Sequence, residues 1–163
     1  MGEPALVLEE VAPTDAEADA LLAALDAELI VDYPPAHVFG FHPGERERFH
    51  GVFLVARLDG MPVGCGGVRW LDAEMAEVKR MYVAPEARGR GVAQAILAAL
   101  EAAARARGLR VLRLETGTRL YAAQRLYEAA GFARIPCFGE YEGEPFSLCY
   151  EKRLDAAPLS AAP

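Results

Sequence analysis

The residues of this chain best suited to chemistry converge on one short run, Arg88-Gly89-Arg90-Gly91-Val92-Ala93. Upstream, residues 76–83 alternate as a half-buried strand does, and Ala84-Pro85 stops them because proline removes a ladder donor and fixes φ. Downstream, Val92, Ile96, Ala99, Leu100 and Ala103 fall on one helical stripe. Gly108 suits the left-handed residue that ends a helix, and Arg105 and Arg107 complement the negative helix end. A strand-to-helix turn of this composition is an anion cradle. Gly89 and Gly91 let the backbone approach a ligand closely, first-turn N–H groups have no intrahelical partners, and Arg88 and Arg90 add charge-assisted donors. Two familiar phosphate sites are excluded. A Walker loop needs Gly-x4-Gly-Lys-Ser/Thr, and a dinucleotide fold needs a third glycine where Gln94 stands.

The framework holding this turn follows from periodicity. A strand is expected near residues 6–10, then a helix over 15–31 with Thr14 as N-cap and Leu21, Leu22, Leu25 and Leu29 on its apolar face. Residues 33–44 read as a loop and the charged stretch to about His50 as a short helix. Residues 52–57 and 61–71 form a hairpin around Asp59-Gly60. Past the cradle helix, residues 111–115 are a strand, 119–130 a helix, and 132–135 and 146–153 the closing strands. This order implies an α/β fold, a mixed sheet with helices on both faces. Residues 1–154 are expected to form one domain, and 155–163 a frayed tail.

Composition narrows the class. The 163 residues are 53% hydrophobic, which excludes a disordered chain, and the net charge of −7 argues against nucleic acid as a partner. No apolar run approaches the roughly 20 residues that span a bilayer, and residues 1–6 lack signal-peptide and myristoylation features, so no membrane partner and a cytoplasmic location are expected. Cys65, Cys137 and Cys149 have no metal or redox spacing and are expected as reduced thiols. The histidines at 37, 42 and 50 likewise lack ligand spacing. Strand alternation sends Lys79 and Arg80 to opposite faces, so at most one reaches a phosphate.

The hexad and a second motif, Leu126-Tyr127-Glu128-Ala129-Ala130-Gly131-Phe132, stand in the order and at the spacing of one family. The stretch from about 52 to 154 resembles the GNAT superfamily of acyl-CoA-dependent N-acyltransferases. The resemblance implies a GNAT-type, mostly antiparallel central sheet splayed at Met81, Tyr82 and Val83. The exposed backbone there takes a pantetheine arm as it would an added strand. It further implies that Arg88, Gly89, Arg90, Gly91, Val92 and Ala93 hold the pyrophosphate, and that acetyl-CoA is the acyl donor with no metal. The acceptor is then a primary amine of a small molecule, amino acid derivative or peptide, attacking directly in a ternary complex. Similar proteins are often homodimers.

A primary amine is only about one part in a thousand neutral at pH 7, so a base is required. Glu77 precedes Arg88 by eleven residues, matching the general-base glutamate of the histone-acetylating branch. Its competing reading is a cross-sheet pair with Lys79 or Arg69. Tyr127 matches the tyrosine near the thioester sulfur and is the expected general acid, and its ring can still pack on the stripe of Leu120, Ala123 and Ala130. The oxyanion would be held by a backbone N–H near Val83. Leu120 departs from the family, where many members carry asparagine or glutamine to hold pantetheine; Thr116, Thr118 or backbone could substitute. The acidic, aromatic segment 138–146 lies where similar proteins wall the acceptor pocket, and Tyr33, His37, Phe39, Phe41 and His42 could form the opposite wall. Two other readings stay open, a transferase for another short acyl-CoA and a non-catalytic acyl-CoA-binding sensor.

Overall fold

The computed structural model describes residue 2 and residues 5–154; the expected tail at 155–163 lies outside the described residues. Among the described residues seven strands, β1 (Leu6–Glu10), β2 (Gly51–Leu58), β3 (Met61–Trp70), β4 (Met75–Val83), β5 (Val111–Gly117), β6 (Ala133–Ile135) and β7 (Ser147–Arg153), form one sheet. Their spatial order is β1-β2-β3-β4-β5-β7-β6. Every neighbouring pair is antiparallel except β4 and β5. That parallel pair needs a crossover, which α2 (Val92–Ala106) supplies. Val78, Leu112 and Leu114 pack with Ile96, Leu97 and Leu100 of α2 on one face, and α3 (Tyr121–Ala129) joins them through Tyr127. On the other face Leu21, Leu22 and Leu25 of α1 (Ala16–Asp32) pack against Phe53, Val55, Cys65 and Tyr82. The helices thus cover both faces, as the element order implied. Among the described residues, no helix is long and apolar enough to cross a membrane.

The feature that matters for function is where β4 and β5 part. Their register runs from Met75 opposite Val111 to Val78 opposite Leu114 and stops, although β4 continues to Val83 and β5 to Gly117. A bulge lies just beyond. Cys65 pairs with Tyr82 and Gly67 with Lys79, so Arg80 and Met81 share a single opposing residue, and Arg80 adopts a left-handed φ of 61°. The bulge overturns the alternation expected for Lys79 and Arg80. Both side chains turn to the α1 face, Lys79 toward the Gly40 carbonyl at 3.4 Å and Arg80 onto Asp26 and the Phe39 carbonyl.

Four local expectations are corrected. Asp15, not Thr14, caps α1, its carboxylate accepting from the Glu17 N–H at 2.9 Å. The charged stretch before His50 is turns rather than helix. Its side chains make tertiary bonds, Arg46 with Asp19 at 2.8 Å and with the Pro13 carbonyl, Glu45 with Arg69 at 3.5 Å. α3 begins at Tyr121 because the Thr118 and Arg119 N–H groups are taken by the Phe146 carbonyl and the Tyr33 hydroxyl. Finally, Cys137 and Cys149 form a disulfide instead of resting as thiols: the antiparallel pairing of β6 with β7 brings the chain just after Ile135 back along β7, where the Cα atoms of the two cysteines stand 5.0 Å apart. Cys65 stays free and fully buried, and burial pushes its thiol up to about 12.

Candidate active site

Between the diverging ends of β4 and β5 opens a cavity of about 1140 Å³. Its walls include the backbone run Met81, Tyr82 and Val83, the start of α2, the end of β5 and the inner side of α3. Gly91 is the N-cap of α2 with φ 80°, and no side chain caps the helix, so its first-turn donors are left for a guest. Gly89 has φ 77°, and a Cβ there would meet nothing within 4 Å. Both glycines of the hexad have the left-handed φ expected, and its residues divide at the cavity wall. Arg88, Gly89, Gly91, Val92 and Ala93 line the cavity with Met81, Tyr82 and Val83, whereas Arg90 does not. The Arg88 guanidinium is tied to Glu28 at 2.7 Å and to the Val83 carbonyl at 2.9 Å, so much of its charge is already met by α1.

Tyr127 lines the same cavity from α3 and is 5% exposed, its ring 5.9 Å from that of Phe132. Among the described residues nothing hydrogen-bonds its hydroxyl. Burial and then the charge of Glu115 raise its pKa above the ordinary phenol range, so it stays protonated and a proton donor at neutral pH. Glu115, near the end of β5, lines the cavity as well and accepts a hydrogen bond from the Ser147 hydroxyl at 2.6 Å. Burial lifts its carboxyl to about 7 against the opposing pull of Ser147, and the charge of Glu77 adds to the lift. A carboxyl held there is half ionised at neutral pH, as suits a general base.

Glu77 has a different setting. It is 1% exposed and does not line the cavity. One carboxylate oxygen takes the Arg69 guanidinium at 2.8 and 2.9 Å, and the other accepts from the Tyr141 hydroxyl at 2.5 Å. The cross-sheet pair with Arg69 is therefore present, while Lys79 lies 3.8 Å from Glu45. Glu115 escaped sequence reading. A lone acid at a strand end looks solvated, and its one signal was the twelve-residue spacing to Tyr127.

Leu120 lines the cavity at the start of α3 and gives that helix no side-chain cap; Thr116 is buried beside it. The nearby amide of Gln124 is used internally, donating to the Gly117 and Thr118 carbonyls at 3.0 and 3.2 Å. Gly117 is constrained by approach. A Cβ there would lie 2.2 Å from the Tyr33 hydroxyl, which accepts from the Arg119 N–H at 2.8 Å. Gly117→Ala should displace Tyr33 and cost about 1–3 kcal/mol, a loss of several degrees in Tm readable by calorimetry. An unchanged Tm would show that Tyr33 does not pin this corner.

The two segments expected as opposite walls meet each other. His37 pairs with Glu144 at 2.6 Å and His42 with Glu140 at 2.8 Å. The Phe39 and Tyr141 rings stand 5.0 Å apart, and Phe146 lies 5.1 Å from His37 and 6.0 Å from Tyr33. Together they roof the cavity, which Tyr33, His37, Phe39 and Phe146 line. Phe41 and His42 are absent from its wall, Phe41 packing on Phe49 at 5.6 Å. Glu140 and Glu144 are spent on histidines rather than left open to a cation. Among the described residues no cluster of histidine, cysteine or acidic side chains could hold a metal ion.

Comparison with known proteins agrees with this geometry. Residues 18–132 match the Acetyltransferase (GNAT) family. The IAA acetyltransferase of Azospirillum brasilense is 48% identical over 106 residues, 63% of this chain and 67% of that protein. The uncharacterized N-acetyltransferase YsnE of Bacillus subtilis is 34% identical over 93 residues, 56% of this chain and 62% of that one. The matched stretches thus span about two thirds or less of these relatives. A Klebsiella pneumoniae crystal structure, provisionally described as an acyl-CoA N-acyltransferase, superposes with a TM-score of 0.78 at 37% identity, over 91% of this chain and 97% of that one. An Elizabethkingia anophelis GNAT structure with acetyl-CoA bound shares the fold at 17% identity, with a TM-score of 0.66 over 91% and 98% of the two chains. With the splayed sheet, the glycine cradle and the family match in register on one sequence, the chain belongs to the acetyltransferase (GNAT) family.

Proposed function

We propose that this protein is a cytoplasmic acetyl-CoA-dependent N-acetyltransferase that moves the acetyl group to a primary amine of a small molecule, amino acid derivative or peptide. Attack is direct, amine on thioester, within a ternary complex. One observation carries the reading: a single cavity joins the uncapped start of α2, the unpaired backbone of β4 and the two proton-transfer groups Glu115 and Tyr127. The first-turn N–H groups after Gly91 would hold the pyrophosphate, with Gly89 leaving room for it, and Met81 to Val83 would carry the pantetheine arm on backbone. Arg90 has only its place in the hexad to support a phosphate contact. Arg88 would contact phosphate by exchanging part of its bond to Glu28.

In this reading Glu115 takes the proton from the incoming ammonium, and Tyr127 gives one to the departing sulfur. Glu77 rests on its sequence position as an alternative base, but its oxygens are engaged by Arg69 and Tyr141. Its charge more simply helps hold Glu115 near neutrality. The roof of Tyr33, His37, Phe39 and Phe146 supports an acceptor with apolar or flat surface next to its amine.

Loss of thioester absorbance from acetyl-CoA against a panel of amines, with thermal shift by acetyl-CoA alongside, tests the proposal. Turnover with one amine class supports it. Stabilisation without turnover on any amine would favour the sensor reading or another acyl group, and no stabilisation would remove the cofactor assignment. Tyr127→Phe should lower kcat roughly 10²-fold while acetyl-CoA affinity stays within about twofold. An unaltered kcat would take the acid role from Tyr127.

A further inference from the structure

The disulfide between Cys137 and Cys149 closes the segment that roofs the cavity. Cys149 lies in β7 with no exposure, directly opposite Glu115 in register, and Cys137 is half-buried just after β6. Between them Tyr141 donates to Glu77, Glu140 and Glu144 pair with His42 and His37, and Phe146 lines the cavity. Little regular backbone holds this segment. β6 is three residues long, and the loop is a 3₁₀ turn over Gly139–Tyr141 followed by turns bonded from the Glu144 N–H to the Tyr141 carbonyl and from the Ser147 N–H to the Glu144 carbonyl. Local turn bonds and side-chain ties, without a helix or ladder, hold residues 138–146, so the segment opens at lower cost than the sheet and the cross-link restrains it at both ends.

A structural staple explains the bond less well. It spans a sequence separation of twelve, and so short a closure restrains the unfolded chain less than a long one would. A sheet of seven strands with helices on both faces does not depend on such a link for its core. Its effect is local, on the roof. Cys65 is sequestered in the α1 cluster and cannot exchange with the pair.

We propose that Cys137–Cys149 is a redox modification site, reduced by a dithiol, whose state sets the order of segment 138–146 and with it the affinity for the amine acceptor. A thiolate of the dithiol attacks the Cys137 sulfur, the S–S bond breaks, and Cys149 leaves and takes up a proton. The second thiol of the reductant then resolves the mixed disulfide and frees Cys137 as a thiol. Two electrons and two protons pass to the protein, and the reductant ends as its own disulfide. The kinetic consequence rests on the acetyltransferase reading; the effect on the loop does not.

The experiment has two arms on the full chain. In the first, alkylation under denaturing conditions is followed by mass spectrometry, and hydrogen exchange is compared before and after dithiothreitol. The expected result is Cys65 alone alkylated before reduction, all three cysteines after it, and faster exchange over 138–146 in the reduced protein. Full alkylation before reduction, or unchanged exchange after it, overturns the proposal. In the second arm thioester loss gives the acceptor KM of both forms. Reduction should raise it about fivefold or more, since ordering the roof is then charged to acceptor binding, with acetyl-CoA affinity unchanged. An equal KM in both forms overturns the link to the acceptor. If neither form turns over, the transferase reading fails and the exchange arm still decides the loop. Cys137→Ser should exchange like the reduced form and ignore dithiothreitol. It substitutes the half-buried partner, so the core residue Cys149 is left in place.

Discussion

Glu115→Gln should lower kcat/KM by about 10²–10⁴-fold at neutral pH, the span that a positioned general base contributes. The pH profile carries the specific signature. In the parent, kcat/KM should rise with pH through a midpoint near 7, where the Glu115 carboxyl titrates. In the glutamine variant that ascending limb should vanish. Stability should move the other way. Because the folded state raises this pKa above its unfolded value, the native protein binds more protons than the unfolded one between about pH 4.5 and 7, so stability falls as pH rises through that window. Glutamine has no charge to bury and can still accept from Ser147, so the variant should melt higher than the parent at pH 8. A variant that loses activity and stability together at pH 8 would assign Glu115 a structural part instead. Glu77→Gln is the control: it should move the midpoint of the limb downward by removing a neighbouring negative charge, and an abolished limb there would return the base role to Glu77.

Gly91→Val should weaken acetyl-CoA binding by about 10²-fold or more, the worth of two charge-assisted hydrogen bonds to phosphate. Two effects combine. At φ 80° a β-branched residue is strained, and relief of that strain would turn the first N–H groups of α2 away from the cavity. A Cβ at this position would meet only the Gln94 side chain, at 3.8 Å, so the new methyl groups would occupy the space a pyrophosphate needs rather than clash with protein. The fold should survive with a Tm a few degrees lower. Titration calorimetry settles the point, and an unchanged Kd would sink the cradle.

Much of this architecture was legible in the sequence. The hairpin about Asp59-Gly60, the stripe from Val92 to Ala103 and the stop at Gly108 depend on residues a few positions apart, and the structure has each in place. Where expectations slipped, a distant group had captured a local one. The Tyr33 hydroxyl takes the Arg119 N–H and delays α3, and Pro13 and Asp19 take the Arg46 side chain and leave turns where a helix was expected.

The sequence by itself determined the family, the element order and the place of the glycine turn that opens α2, because glycine φ, helix periodicity and proline stops are written in near neighbours. Only the tertiary structure decided which carboxylate looks into the cavity. Glu77 and Glu115 stand on adjacent parallel strands, but the β4–β5 ladder ends between Val78 and Glu115. The acid below that point is therefore enclosed by Arg69 and Tyr141, and the acid above it is left beside open space. The same holds for the bulge that sends Lys79 and Arg80 to one face and for the disulfide across twelve positions. Each depends on the register between paired strands, β3 with β4 and β6 with β7, and a shift of one residue that no local pattern announces changes which side chains meet.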